Sequence, residues 1–531
     1  MSVGPADRLD LTRAGEYGRA APALEAILNL RAAVRDQGVN SVKTSTRATE
    51  VARTLRGGLG LMGFLVGLLA WGGTVLGADD PAGVAGGLVE QLGDQLPVWS
   101  VLPFVALLGC IALLPLFHGH WWEHNKNKAI ISAGLSVPVI LVLAGLFGSR
   151  GTHALVESLH EYLSFVCLLG ALYIISGGVY VQGSLSGTPL LNTAVLALGA
   201  IIANFVGTTG ASVLLIRPLL RANKARVRKT HIVIFFIFVV SNCGGLLTPL
   251  GDPPLFLGFL KGVPFLQTLS LWKQWLFVNG CLLAIFNVWD QKVLDAEEVD
   301  RPGSQLEEVQ QHEPLRILGM HNLLLLAGVV LIVFCSGQRI GFGGQEWPHF
   351  LAQGLTAALA AISYFGTRRS IHESNRFTFG PILEVAILFL GIFITMTPAL
   401  QILNARGDEL GVREPWQFFW VSGALSSVLD NAPTYIAFAA TACGIHNVSV
   451  EGQYLAEFLT LPIAWSLLAA ISCGSVFMGA NTYIGNGPNF MVKAIAEENG
   501  VPMPGFFGYM LYSGGILIPI FIVTSLLFFR G

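Results

Sequence analysis

Two passages, Thr248-Pro-Leu-Gly251-Asp252-Pro-Pro254-Leu-Phe and Thr482-Tyr-Ile-Gly485-Asn486-Gly-Pro488-Asn-Phe, share one pattern, Thr-x-x-Gly-[Asp/Asn]-x-Pro. Each closes an apolar run, and Pro253, Pro254, Gly485, Gly487 and Pro488 prevent a regular helix from continuing through it. Each also follows an apolar stretch interrupted midway by a polar tip: Asn204-Phe-Val-Gly-Thr-Thr-Gly within 188–220, and Asp430-Asn-Ala-Pro-Thr within 416–445. Backbone freed from its helix at membrane depth is tolerated only inside protein or lining a cavity. The four segments are therefore expected to meet in the protein interior, the two interrupted stretches as re-entrant hairpins.

The surrounding chain is that of a polytopic membrane protein. Of 531 residues, 53% are hydrophobic and only 12% charged, and the mean hydropathy is +0.63, too apolar for a water-soluble chain. A net charge of -2, with the basic residues dispersed among loops, argues against nucleic acid as a partner. The seven cysteines show neither CxxC nor metal-ligand spacing and read as small buried hydrophobes. The 62 glycines are spread along the chain, which suits close helix packing in a bilayer.

A span needs about 20 apolar residues. On that ruler, spans are expected near 58–77, 98–117, 128–148, 161–182, 231–250, 271–290, 316–337, 353–367, 380–404, 461–480 and 506–529, eleven in all. Residues 1–57 are polar, lack a signal-peptide pattern and read as a cytoplasmic extension. Leu24, Ile27, Leu28 and Val34 within it are spaced for an amphipathic surface helix, with a loosely ordered tail the equal alternative. With the N-terminus inside, alternate loops place 24 of the 31 Lys and Arg residues on the cytoplasmic side, the bias expected of such proteins.

That topology exposes a repeat. Leu169-Gly170-Ala-Leu-Tyr-Ile resembles Leu390-Gly391-Ile-Phe-Ile-Thr, and the order span, span, span, hairpin, broken span, span occurs over 98–290 and again over 316–531, with a linker at 291–315 and a first span and external loop at 58–97. The first copy starts outside and the second inside. Inverted-topology repeats with discontinuous helices mark secondary transporters that bind substrate near the bilayer midplane.

The polar residues of the four segments form the expected site: Asn204, Thr208, Thr209 and Ser212; Ser241, Asn242, Thr248 and Asp252; Asp430, Asn431 and Thr434; Asn481, Thr482, Asn486 and Asn489. Hydroxyls, amides and carbonyls around one or two carboxylates make a hard oxygen environment suited to Na⁺. Carboxylates at membrane depth are costly and usually functional, so Asp252 and Asp430 are the expected exchanging groups, holding either Na⁺ or a proton. Their alternative roles are a turn residue for Asp252 and a helix cap for Asp430. Glu161 and Glu384 read as interfacial anchors, and His118, His120 and His124 as part of an interfacial belt rather than a metal cluster. Lys493 reads either as a partner for a site carboxylate or as a snorkelling lysine.

These segments resemble the ion transporter superfamily of D-type sodium/proton antiporters, arsenite efflux permeases, citrate/metal symporters and divalent anion/sodium symporters. Leu425-Ser-Ser-Val-Leu-Asp430-Asn431-Ala-Pro433-Thr434 is similar to the second-hairpin motif of the antiporter and arsenite branches. Ala203-Asn204-Phe-Val-Gly-Thr208-Thr209-Gly-Ala-Ser212, Ser241-Asn242-Cys-Gly-Gly-Leu-Leu-Thr248-Pro-Leu-Gly251-Asp252 and His120-Trp-Trp-Glu-His-Asn-Lys-Asn-Lys128 resemble a bacterial group of sodium/proton antiporters or citrate-transporter-like proteins. The resemblance implies an eleven-helix scaffold with two hairpins, an elevator-like motion, often a homodimer, and a bacterial inner membrane. Carboxylate symporters of the superfamily carry Ser-Asn-Thr at their tips, and Asp430 departs from that pattern. The expected function is therefore Na⁺ (or Li⁺)/H⁺ antiport, with cation-coupled citrate or dicarboxylate symport as the alternative and no cofactor beyond the transported ions. No Gly-x-Ser-x-Gly or HExxH points to an intramembrane enzyme, and polarity confined to two tips and two breaks does not make a continuous channel.

Overall fold

The computed structural model describes residues 92–530 apart from 185, 301, 304–312, 343–344, 346 and 349. The extension at 1–57, its amphipathic segment and the expected first span at 58–77 lie outside the described residues. The long helices are α1 (Leu102–Phe117), α2 (Asn125–Leu146), α3 (Gly148–Gly177), α4 (Pro189–Ala222), α5 (Thr230–Val239), α6 (Pro253–Leu260), α7 (Trp272–Asp300), α8 (His321–Gly337), α9 (Leu351–Gly366), α10 (Gly380–Ala405), α11 (Pro415–Ser426), α12 (Asn431–Ile445), α13 (Ala464–Met478), α14 (Gly487–Glu498) and α15 (Phe506–Phe528). Among the described residues, eight helical segments are long and apolar enough to cross a bilayer, and three shorter apolar ones accompany them. The chain is a multi-pass, mostly helical membrane protein.

Two departures from the sequence reading stand out. The stretch expected as a span at 161–182 belongs to a longer helix that begins at Gly148, because no Pro or paired polar break interrupts 148–160. A short ribbon also joins the two halves: β1 (Tyr180–Ser184) pairs antiparallel with β2 (Glu313–Leu318), Tyr180 opposite Leu318 and Gln182 opposite Arg316. Val181 and Ile317 supply β-branched residues to that pairing, and the Val181 carbonyl accepts a 2.6 Å bond from the Arg221 guanidinium.

Position in the bundle follows from what each helix faces. α2 is largely lipid-facing, with 22% of its apolar window buried in protein, whereas the window that includes α13 is 89% buried. α5 is buried from His231 to Val239. These two central helices lead directly into the broken passages, so the freed backbone is surrounded by protein rather than lipid, as desolvation demands.

α4 is not one straight rod. Gly207 has φ 78° and ψ 154° inside it, a region essentially reserved for glycine. The two arms fold back on each other: a Cβ on Gly199 would lie 3.1 Å from Leu215, and at the feet the amides of Asn192 and Asn223 exchange bonds of 2.9 and 2.8 Å. α11 and α12 likewise turn back at residues 427–430, bringing the rings of Phe418 and Phe438 within 6.4 Å. Glu414 and Gln417 form a capping box at the start of α11, which fixes where that arm begins.

Candidate functional site

The first break runs from Val240 to Asp252, between α5 and α6, and the second from Gly479 to Asn486, between α13 and α14. Both close on the same local bonds. The Thr248 hydroxyl donates to the Asn204 carbonyl and accepts from the Leu250 amide. The Thr482 hydroxyl donates to the Ser427 carbonyl at 2.6 Å and accepts from the Ile484 and Gly485 amides. In each case the threonine ties its break to the tip of the folded-back pair in its own half. Glycine is required next: a Cβ on Gly251 would stand 2.2 Å from the Gly245 oxygen, and one on Gly485 2.6 Å from the Gly479 oxygen.

Backbone carbonyls released by the breaks are then paired by side chains. Trp275 and Asn279 of α7 donate to Gly244 and Cys243 at 2.8 and 3.1 Å. Tyr509 and Ser513 of α15 do the same for Ala480 and Asn481 at 2.9 and 2.7 Å. Asn204 satisfies Gly244 and accepts from the Leu247 amide, both at 2.8 Å. Because an unpaired buried carbonyl costs roughly 1–3 kcal/mol, these side chains are what make the breaks tolerable.

Asp252 is the hub. It is 1% exposed, its Oδ1 accepts from Thr208 at 2.8 Å and from Asn486 at 3.5 Å, and its Oδ2 accepts from Asn431 at 2.8 Å. Asn486 also reaches Asn242, whose amide donates to Asn489 at 2.7 Å. Asn489 in turn donates to Gly479 and Thr482. Both tips and both breaks therefore meet at one carboxylate. All three of its partners are neutral, and among the described residues no Lys, Arg or His pairs with it. A buried charge without a counter-charge is expensive, so this position favours either a proton or a bound cation. The oxygens nearest it are its own carboxylate, the Thr208 hydroxyl and the Asn242 amide oxygen, which accepts from Asn486; Asn431 presents its amide nitrogen to Asp252, and its oxygen accepts from Ser426 at 2.7 Å.

The remaining expected residues separate into three groups. Thr208, Asn242, Asn431, Asn486 and Asn489 join Asp252 directly or through one amide. Asn204, Thr248 and Thr482 hold the backbone around it, while Ser212 bonds the Ser241 hydroxyl and Asn481 the Ser427 hydroxyl, both at 2.8 Å. Thr209 is half-buried with no side-chain bond to the cluster, and Thr434 returns its hydroxyl to the Asp430 carbonyl. Asp430 is half-buried and caps α12 through the Ala432 amide at 3.2 Å; its carboxylate makes none of the Asp252 hydrogen bonds, although its neighbour Asn431 makes one and its charge lies within electrostatic reach of Asp252. Of the two expected carboxylates, only Asp252 sits in the network.

Both glutamates expected at the interface are ion-paired. Glu384 lies 2.7 Å from buried Lys128, and Glu157 and Glu161 both pair with buried Lys261. An ion pair relieves much of the cost of holding either charge beside lipid. Lys493 pairs with Glu497 at 2.9 Å and lies over Tyr483 rather than reaching a site carboxylate. His120 approaches Glu123 at 3.5 Å, and among the described residues no three of His, Cys, Asp or Glu are grouped to hold a metal.

Residues 93–529 match the family described as "Putative citrate transport". The chain belongs to that family. A search of curated proteins finds no match. Sequence reading missed Trp275, Asn279, Tyr509 and Ser513 around the site, and quoted Ser426 and Ser427 within the second-tip motif without naming them as site residues. Their signal is faint, since each is a single polar or amphipathic group within an apolar or hairpin run.

Proposed function

We propose that this family member is a secondary active transporter exchanging Na⁺ (or Li⁺) for H⁺, with Asp252 carrying each in turn. The observation behind this reading is a buried carboxylate bonded only to neutral donors at the meeting point of both tips and both breaks. A proton or a small cation, but not both, neutralises it, and competition for one group is what exchange requires. In this reading the folded-back α4 and α11–α12 pairs are re-entrant hairpins, 98–290 and 316–531 are inverted repeats, and Asn242 and Thr208 are neutral ligands.

The family description favours a second reading, cation-coupled citrate or dicarboxylate symport, in which a cation on Asp252 screens it from the substrate's carboxylates. The two separate cleanly. Na⁺-dependent dequenching of a pH dye in everted vesicles, without labelled citrate uptake into proteoliposomes, is the expected outcome for exchange. Na⁺-dependent citrate uptake with no proton signal across pH 6 to 9 overturns exchange in favour of symport.

A further inference from the structure

α7 carries an open groove of about 600 Å³ on its C-terminal half. Its floor is Ala284, Ile285, Val288 and Val293, with Trp289 as a wall. Ile285, Val288 and Trp289 are 37%, 56% and 36% exposed, and α7 as a whole has an apolar window suited to a bilayer. From Ala284 to Lys292 the helix advances about 12 Å at 1.5 Å per residue, most of the half-thickness of a hydrocarbon core about 30 Å thick. The groove thus reaches most of the way through one leaflet.

Its mouth is cationic. Arg228 and Lys292 line it. Arg228 is partly neutralised by Asp300 at 2.6 Å, while Lys292 is exposed and makes no ion pair among the described residues. Lys224 and Lys229 belong to the same loop as Arg228, and Arg226 is committed to buried Asp290 and Glu297. Asp295, whose carboxylate accepts from the Gln291 amide, is not among the residues that line the groove. Trp289 stands 6.1 Å from Tyr512, an aromatic pair of the kind that settles at headgroup depth. Residues 217–229 hold six Lys and Arg residues, second only to the nine of residues 1–57.

We propose that the groove binds one anionic phospholipid, its acyl chain lying along Ala284–Val293 and its phosphate between Lys292 and Arg228. Apolar length and cationic mouth match the two parts of such a molecule, and clustered Lys and Arg beside a membrane helix select anionic headgroups. Because α7 also supplies Trp275 and Asn279 to the first break, an occupied groove braces the helix that supports the site.

Delipidated full-length protein, titrated with phosphatidylglycerol or phosphatidylcholine and followed by native mass spectrometry and thermal melting, tests this. Phosphatidylglycerol is expected to remain bound and to raise the melting temperature; phosphatidylcholine and inorganic phosphate are not. The double change Arg228→Gln with Lys292→Gln should weaken phosphatidylglycerol binding about thirtyfold, whereas Lys273→Gln at the other end of α7 should leave it intact. Val288→Trp, which fills the groove without altering charge, should also block retention. Equal effects of the two lipids, or a response to phosphatidylglycerol that survives both groove variants, overturns the proposal. So does a groove variant that shifts the oligomeric mass in lipid-free detergent, which marks the groove as a contact between two copies.

Discussion

In the first half Thr248 anchors a break whose Gly251 nests against Gly245, and the position after that glycine is Asp252. In the second half Thr482 anchors a break whose Gly485 nests against Gly479, and the corresponding position is Asn486. α7 attends the first break through Trp275 and Asn279, and α15 attends the second through Tyr509 and Ser513. The backbone solution is shared and the charge is not. The pattern thus carries two separable requirements: the glycine, threonine and proline are what the broken backbone needs, and the acid at one of two corresponding positions is what the proposed exchange needs. Two carboxylates facing each other across so short a gap would repel strongly in a low-dielectric interior. An amide on one side instead donates to the carboxylate on the other.

The largest expected effect comes from moving that charge. Asp252→Asn should abolish Na⁺-dependent proton movement in everted vesicles while the protein still purifies as a folded species, because an amide of the same shape retains the Thr208 bond. Wild-type exchange rates in this variant would place the carrier group elsewhere. Asn486→Asp, which puts a second carboxylate 3.5 Å from the first, should make the melting temperature rise steeply with Na⁺, where the wild type responds weakly.

Next come the glycines, which test whether the two backbones are truly equivalent. Gly251→Ala and Gly485→Ala should both lower the folded yield in fluorescence-detected size exclusion, each by overpacking worth about 1–3 kcal/mol. If one is silent, the similarity of the breaks is superficial. Gly207→Ala at the first tip should cost a comparable amount, about 1–3 kcal/mol, from backbone conformation. Thr248→Val and Thr482→Val are each expected to lose about 1–3 kcal/mol, as one buried carbonyl and at least one backbone amide are left unpaired. Denaturation in mild detergent should show the two losses to be similar.

The smallest effect is expected at the second tip. Asp430→Asn preserves the cap on α12 and should leave exchange measurable, and Asp430→Ala should cost about 1 kcal/mol of stability. A loss of transport in Asp430→Asn as complete as in Asp252→Asn would show that the second half carries the charge as well.

Much of this was legible in the chain because it is local. A proline, a glycine or an amide inside an apolar run interrupts a helix whatever surrounds it, so the four polar segments and most of the site residues could be read directly. Asp252 and Asp430 looked alike for the same reason: both are acids at a break in an apolar stretch. Their different standing arises from neighbours distant in sequence, since Thr208, Asn431 and Asn486 converge on Asp252 while Asp430 turns to the amide of Ala432. The ion pairs Lys128–Glu384 and Lys261–Glu161 were equally hidden, because each joins residues on separate helices and neither spacing carries a signal. The ribbon between β1 and β2 was missed because five- and six-residue strands flanking spans are masked by the apolar runs beside them.

The sequence by itself determined the solvent and the breakpoints. Scarce charge and long apolar runs require a bilayer, and proline and glycine decide where helices must stop, both through energies that depend on the residue and its immediate neighbours. Only the tertiary structure decided which carboxylate is the hub. Desolvation and hydrogen bonding at depth depend on which groups the fold brings within about 3 Å, and for Asp252 those groups come from both tips and from the opposite break.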